Sequence, residues 1–185
     1  MLATPGALPD GPDWIFEVRW DGVRLLADVL GGRLRITTSD QVDVTGAFPE
    51  LFGVGRLAPD VLLDGVVVAL ANGIPCASAL SSRMHRPFDP ATVPAHPVTF
   101  MVFDVLRLYG VPLVDRPLGD RRATLERLPF DPSERSAVAL SPIYTDGPAL
   151  LTAIAQRGMV GLVAKRQNSM YRSGRSSGGW IAVSP

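Results

Sequence analysis

The residues whose types could do chemistry fall in four segments of the chain. These are residues 16–24 (FEVRWDGVR), 63–70 (LDGVVVAL), 102–122 and 158–180. Acidic and basic side chains alternate closely in the first segment, and the fourth carries Lys165, the only lysine among 18 basic residues. Carboxylates can bind a divalent metal, and cations can stabilise charge that develops on a phosphate. These residue types alone do not separate such chemistry from a structural role.

Each of these features also has a purely structural interpretation. Trp20 and Phe103 could be core aromatic residues. Asp21–Gly22 and Asp64–Gly65 are ordinary pairs for a turn or a bulge. A basic cluster near the end of the chain is either a solvated loop or a patch that contacts phosphates, and it comprises Lys165, Arg166, Arg172 and Arg175.

Taken together and in this order, the four segments resemble the motifs of covalent nucleotidyltransferases, specifically the ligase domain of bacterial end-joining DNA ligases. The first resembles the family pattern Glu-x-Lys-Trp-Asp-Gly-x-Arg, and the second resembles Leu-Asp-Gly-Glu-Val-Val-Ala-Leu. The third resembles Phe-Asp-x-Leu with a later Pro-Leu-x-x-Arg-Arg. The fourth resembles Gly-Leu-Glu-Gly-Val-Val-Ala-Lys-Arg with a Tyr-x-x-Gly-Arg-x-x-x-x-Trp tail. One such match is weak, but four in order indicate the family.

The resemblance implies a reaction and also shows what this chain lacks for it. In the family a lysine attacks the α-phosphate of ATP and forms a covalent lysyl-AMP. That position falls on Arg19. A guanidinium keeps its proton at any pH at which proteins fold. Its nitrogens therefore offer no free lone pair for attack on a phosphate. Lys165 cannot replace it, since the resemblance gives that position a phosphate contact. We therefore expect no adenylation.

Other charge-handling positions of the family are also lost. The two carboxylates that hold the metal fall on Val66 and Val160. Three further cation positions carry uncharged residues, namely Ser39, Ala182 and Ser184. Several losses of this kind, with the framework retained, favour an inactive protein.

The retained positions imply a nucleotide-binding role. Glu17 corresponds to the partner of the adenine amino group, Arg24 to the ribose-side arginine, Phe103 to the ring that stacks on adenine, and Lys165 to a phosphate contact. No cofactor is certain: ATP or AMP is the candidate, and the two valines argue against Mg²⁺. We expect the base to be held better than the phosphates.

The composition excludes several other classes of protein. The net charge is zero, with 18 basic and 18 acidic residues, which argues against a protein that coats nucleic acid. No apolar run approaches the roughly 20 residues of a membrane helix, and no secretory signal is visible. Cys76 has no cysteine to pair with, and His85 and His96 have no partner at ligand spacing. These features predict a cytoplasmic protein with no membrane partner.

Apolar periodicity predicts the elements that must position the site. Strands are expected at 15–19, 23–29, 61–70, 98–108, 160–164 and 180–183, with helices at 119–128 and 146–158. Gly31–Gly32 and Asn72–Gly73 predict tight turns, and residues 83–97 predict a proline-rich loop. The expected fold is the α+β nucleotidyltransferase (ATP-grasp-like) fold. It has antiparallel sheets flanked by helices, in one adenylation domain over 1–185 with no C-terminal oligonucleotide-binding (OB) barrel.

Three functions remain open on sequence. The preferred one is a DNA-ligase-like pseudoenzyme that keeps the fold and weak affinity for ATP, AMP or DNA, the last through the basic cluster. The first alternative is an active ATP-dependent DNA ligase in DNA repair or recombination that works with a separate barrel protein. The second is a scaffold that binds a protein partner.

Overall fold

The computed structural model describes residues 1–71, 74–75, 77–84, 97–133 and 136–185. Four features that the sequence singled out lie outside these residues: the Asn72–Gly73 turn, Cys76, both histidines and most of the proline-rich segment. Over the described residues, no helix is long and apolar enough to cross a membrane.

The described residues form strands, short α-helices and 3-10 turns. In chain order the strands are β1 (Leu2–Pro5), β2 (Trp14–Val18), β3 (Val23–Leu30), β4 (Arg33–Thr38), β5 (Val61–Ala71), β6 (Ile74–Pro75), β7 (Val98–Leu108), β8 (Val111–Pro112), β9 (Val138–Leu140), β10 (Ile143–Tyr144), β11 (Leu162–Arg166) and β12 (Ser176–Val183). The α-helices are α1 (Ser81–Met84), α2 (Leu118–Leu125) and α3 (Gly147–Gln156). The 3-10 turns cover Thr45–Ala47, Pro49–Arg56 and Ala77–Leu80.

The strands belong to two sheets. The five-stranded sheet has the order β1-β12-β11-β2-β10, so it uses strands from both ends of the chain. The seven-stranded sheet has the order β4-β3-β5-β7-β8, with β6 paired to β5 and β9 paired to β7, so it uses the stretch between. Within the described residues the pairings are antiparallel apart from β1–β12 and β7–β9. The expected α+β architecture, with mostly antiparallel sheets and helices, is confirmed.

The β3–β4 hairpin shows why the sequence folds in this way locally. Leu25, Ala27 and Val29 alternate along β3 and are buried, as their period of two requires. Gly31 and Gly32 have φ values of 57° and 76°, which is the left-handed region that a type I′ turn needs at both central positions. The predicted Gly-Gly hairpin is therefore present.

The two predicted helices are present with shifted ends. α3 begins after Asp146, whose side chain accepts a 2.9 Å hydrogen bond from the Ala149 amide, and a proline follows in the first turn. α2 was expected over 119–128 but ends at Leu125, with a turn covering the last three residues. The sequence did not predict β1, β9, the 3-10 turns or the two-residue strands.

Candidate functional site: a cleft between the two sheets

The two sheets enclose a cavity of about 230 Å³. The five-stranded sheet contributes Glu17, Val163, Lys165 and Trp180 to its wall, and Arg19 lines it directly after the end of β2. The seven-stranded sheet contributes Arg24, Val66 and Phe103. The cavity thus brings together all four residues predicted to bind nucleotide, together with the nucleophile position and one of the two carboxylate positions.

Lys165 and Glu17 form a buried ion pair in this cavity. In the antiparallel pairing of β2 with β11, Glu17 lies opposite Val163 and Lys165 opposite Ile15, so the two charged residues are diagonal neighbours on one face. The Lys165 Nζ donates a 2.7 Å hydrogen bond to Glu17 Oε1, and each side chain is 3% exposed. The charge of Lys165 is therefore already balanced within the protein.

Two aromatic rings enclose the same ammonium group. Its nitrogen lies 4.1 Å from the ring centre of Phe103 and 4.5 Å from that of Trp180. Both contacts are cation–π interactions. Burial lowers the pKa of Lys165, and the negative charge of Glu17 opposes that shift. The ring predicted to stack on adenine already contacts a cation.

A second ion pair lies on the side of the cavity that the seven-stranded sheet provides. Arg24 binds Asp64 through two hydrogen bonds, 2.9 Å from Nε to Oδ1 and 2.5 Å from Nη2 to Oδ2. The Tyr171 hydroxyl donates a 2.7 Å bond to Asp64 Oδ2, and Arg24 Nη1 donates to the Met1 carbonyl. Burial raises the pKa of Tyr171, and the neighbouring Asp64 charge adds to that shift. Arg24 is therefore fixed by a polar network behind the cavity.

A third ion pair includes Asp104, which follows Phe103 on β7. Asp104 is fully buried and accepts two 2.8 Å hydrogen bonds from Arg121 on α2, which is also fully buried. The remaining Arg121 nitrogen, Nη1, donates to the carbonyls of Arg116 and Ser169. One arginine thus ties α2, β7 and the loop after β11 together. Sequence reasoning gave it no role, although a carboxylate inside an apolar strand and an arginine in a helix are a recognisable pair.

Arg19 lies at the mouth of the cavity. Its side chain is exposed and makes no hydrogen bond or ion pair with the described residues, while its amide donates a 2.9 Å bond to the Gly161 carbonyl. It also lines a second cavity of about 70 Å³, together with Asp21, Met159 and Val160. Val66 is half-buried in the first cavity, and Val160 is 41% exposed in the second. Arg19 therefore borders both cavities, each of which contains one of the two positions where the family has carboxylates.

The residues present do not fit the divalent metal that the resemblance implies. Val66 and Val160 have no donor atoms, and Asp21 accepts a 3.1 Å hydrogen bond from the Ala77 amide. Over the part of the chain that the structure describes, no group of three or more His, Cys, Asp or Glu is placed to hold a metal. We derive no step through a metal.

The structure divides the predicted basic cluster. Lys165 and Arg166 are adjacent on β11 and point to opposite sides of the sheet, so Lys165 faces the cleft and Arg166 faces solvent. Arg166 and Arg172 line a shallow surface depression of about 510 Å³. Arg172 lies 3.2 Å from Asp115, and Arg175 is exposed nearby in sequence. Three arginines, without Lys165, form the exposed part of the cluster.

The glycines of the two Asp-Gly pairs lie where strands approach closely. A Cβ on Gly22 would lie 2.2 Å from the Val67 carbonyl oxygen, and one on Gly65 would lie 2.6 Å from the Phe100 ring. The two glycines therefore allow neighbouring strands of the cleft to approach closely. This role is additional to any role in a turn.

Comparison with known proteins agrees with this geometry. The profile of the ATP dependent DNA ligase domain family matches residues 6–183, and the chain belongs to this family. It is similar to the multifunctional non-homologous end joining protein LigD of Mycolicibacterium smegmatis, with 31% identity over 98% of this chain and 23% of that protein. A probable DNA ligase of Streptomyces griseus is 37% identical over 91% of this chain and 35% of that protein.

Solved structures show the same fold. The ligase domain of M. tuberculosis LigD superposes with a TM-score of 0.78 and 29% identity, covering 98% of this chain and 57% of that chain. A mycobacterial DNA ligase D complexed with ATP and MES gives a TM-score of 0.73 and 27% identity, covering 98% and 60%. The chain spans about a quarter of the length of its LigD relatives.

Proposed function

We propose that this chain is a DNA-ligase-type adenylation domain that forms no covalent adenylate and retains weak binding of adenine nucleotide. The observation that carries the proposal is Arg19, which lies at the nucleophile position between two cavities lined by Val66 and Val160. The residue that should attack ATP and both residues that should hold its metal are changed together.

The chemistry of these three side chains supports the proposal. An arginine keeps its proton at any pH that the fold survives, so it offers no lone pair to a phosphorus atom. Without metal ligands, the charge on a departing pyrophosphate would have no Lewis acid to stabilise it. Losing either contribution slows transfer of the adenylyl group greatly, and losing both leaves little of the reaction.

Lys165 is a poor substitute nucleophile for a geometric reason. Its nitrogen is bonded to Glu17 and enclosed by Phe103 and Trp180. Releasing it to attack a phosphate would leave the Glu17 carboxylate buried without a partner, at a cost of about 3–5 kcal/mol.

Nucleotide binding is supported by the cleft and by a relative. The cavity keeps Glu17, Arg24, Phe103 and Lys165 on its walls, and a ligase with 27% identity has been solved in complex with ATP. DNA is the substrate class that the names of the ligase relatives indicate, and LigD is named for end joining. Ligation in DNA repair by a longer protein carrying this chain is the alternative function, and the adenylation test below decides between the two.

The test is incubation with α-labelled ATP and Mg²⁺ or Mn²⁺, followed by denaturing electrophoresis. We expect no labelled band from the natural chain or from Arg19→Lys, because Val66 and Val160 still provide no metal ligands. A variant that combines R19K with V66E and V160E restores the three side-chain types of the family. We expect a labelled band from this variant.

The ligase domain of M. tuberculosis LigD serves as the positive control, and circular dichroism shows whether each variant is folded. A labelled adduct on the natural chain would establish an active ligase domain instead. Label on R19K alone would show that the two valines matter less than proposed.

A further inference from the structure

We propose that Arg19 forms an anion subsite that needs no metal and accepts one phosphate group of a mononucleotide-sized ligand. The inference rests on the proposed function, because it specifies the ligand of the same cleft. It predicts that a monophosphate is preferred over a nucleoside and that a triphosphate gains nothing further.

The charges of the larger cavity lead to this proposal. Lys165 is paired with Glu17, and Arg24 is paired with Asp64. Among the described cations on the cavity wall, Arg19 is the one that makes no ion pair or side-chain hydrogen bond. The net charge that a ligand meets there is therefore that of a single guanidinium.

The surroundings of Arg19 suit a phosphate. The side chain is flanked by apolar groups of Val66 in one cavity and of Met159 and Val160 in the other. A guanidinium presents a planar set of donors that can bind two phosphate oxygens at once, and it is less strongly hydrated than an ammonium. The bond from its amide to the Gly161 carbonyl fixes the strand end from which the side chain extends.

The Asp21 carboxylate in the smaller cavity is the reason for expecting one phosphate group only. The larger, about 230 Å³, is the space available for the body of the ligand. The smaller, about 70 Å³, is the space beyond Arg19, and the Asp21 carboxylate lines it. A second or third phosphate placed there would meet a like charge with no metal to screen it, so the additional groups of ATP would remain in solvent.

The experiment compares adenosine, AMP and ATP by calorimetry, each with EDTA and with Mg²⁺. In the natural chain we expect AMP to bind about fivefold tighter than adenosine, ATP to bind no tighter than AMP, and Mg²⁺ to change nothing. Arg19→Gln should bring AMP to the affinity of adenosine and leave adenosine unchanged. Arg33→Gln, at an exposed arginine on the edge strand β4, is the matched control and should change none of the affinities.

A base-free probe separates this inference from the proposed function. Ribose 5-phosphate carries the anion without adenine, and its ³¹P line should broaden with the natural chain and not with R19Q. Broadening without adenosine binding would support the anion subsite and count against adenine binding. Equal affinities for adenosine and AMP, with no broadening, would overturn the subsite while nucleotide binding stands. A Mg²⁺-dependent preference for ATP would also overturn it.

Discussion

Lys165 donates a 2.7 Å hydrogen bond to Glu17, and only 3% of each side chain is exposed. A ligand that enters the cleft must accept this pair as part of its wall or separate it. Separation leaves two buried charges uncompensated, so the resting cleft is better suited to weak binding of a small ligand than to tight capture of a triphosphate.

The Glu17–Lys165 pair gives the first prediction. Lys165→Met should lower the free energy of unfolding by about 3 kcal/mol, because it leaves the Glu17 carboxylate buried without a cation. Urea denaturation measures the change. Adding Glu17→Gln to the same chain should recover at least about 1 kcal/mol of the loss, since the buried charge is then removed.

The control is Arg166→Met on the same strand, whose side chain faces solvent and should cost less than about 0.5 kcal/mol. A loss from K165M no larger than that of R166M would show that the pair does not stabilise the fold.

The second prediction concerns the Asp104–Arg121 pair. Both side chains are fully buried, and Arg121 also donates to two carbonyls. Arg121→Met should destabilise the protein by about 3–5 kcal/mol because Asp104 loses its counter-charge. Arg127→Met, at an exposed arginine just beyond the same helix, is the control and should be close to neutral. Equal unfolding midpoints for the two variants would contradict the structure.

The third prediction follows from the raised pKa of Tyr171. Above pH 10 the unfolded chain loses the proton of this phenol and the folded chain keeps it, so this residue makes stability fall as pH rises. The chain has three tyrosines, so Tyr171→Phe should remove about one third of the tyrosinate absorbance of the denatured protein. The change in absorbance of the folded protein near pH 10 should be the same with or without this substitution. A smaller change in the folded variant would mean that Tyr171 ionises with the others.

The fourth prediction concerns DNA. Binding to nicked duplex should be weak and should fall steeply with salt, because it depends on exposed arginines. Replacing Arg166, Arg172 and Arg175 with glutamine should reduce the slope of log affinity against log salt by up to about 3. Gel shift or anisotropy over a range of salt concentrations measures this slope.

The matched control replaces three other exposed arginines, Arg33, Arg56 and Arg127, and should leave the slope unchanged. Tight binding that is insensitive to salt would be inconsistent with this explanation of DNA affinity.

β3 was predictable because its apolar residues alternate, whereas β5 and β7 were predictable because they are long, almost continuous apolar runs. The paired glycines Gly31 and Gly32 mark the turn between β3 and β4. β1 was not predictable from its four residues, because its place in the sheet is set by pairing with β12. The 3-10 turns over 45–56 were also missed, since buried Phe48 and Leu51 pack on the core without a helical or strand period.

The members of the site were predictable from motif resemblance, but their partners were not. Sequence placed Glu17 and Lys165 in one site and gave each its own contact with the ligand, whereas the structure pairs them with each other. The reason is the register of β2 with β11, which no local pattern contains. The same register explains why Lys165 is separated from the exposed arginines that follow it.

The distribution of strands between the two sheets has a consequence for the order of folding. The strands of the seven-stranded sheet all come from residues 23–140, so this sheet can assemble while the rest of the chain is still being synthesised. β2 cannot pair with β11 until residues 162–166 have left the ribosome. Until then the first strand of the cleft has an unpaired edge, which is a hazard for aggregation. A chain that stalls before β11 would therefore lack a complete cleft, although much of its core would already have formed.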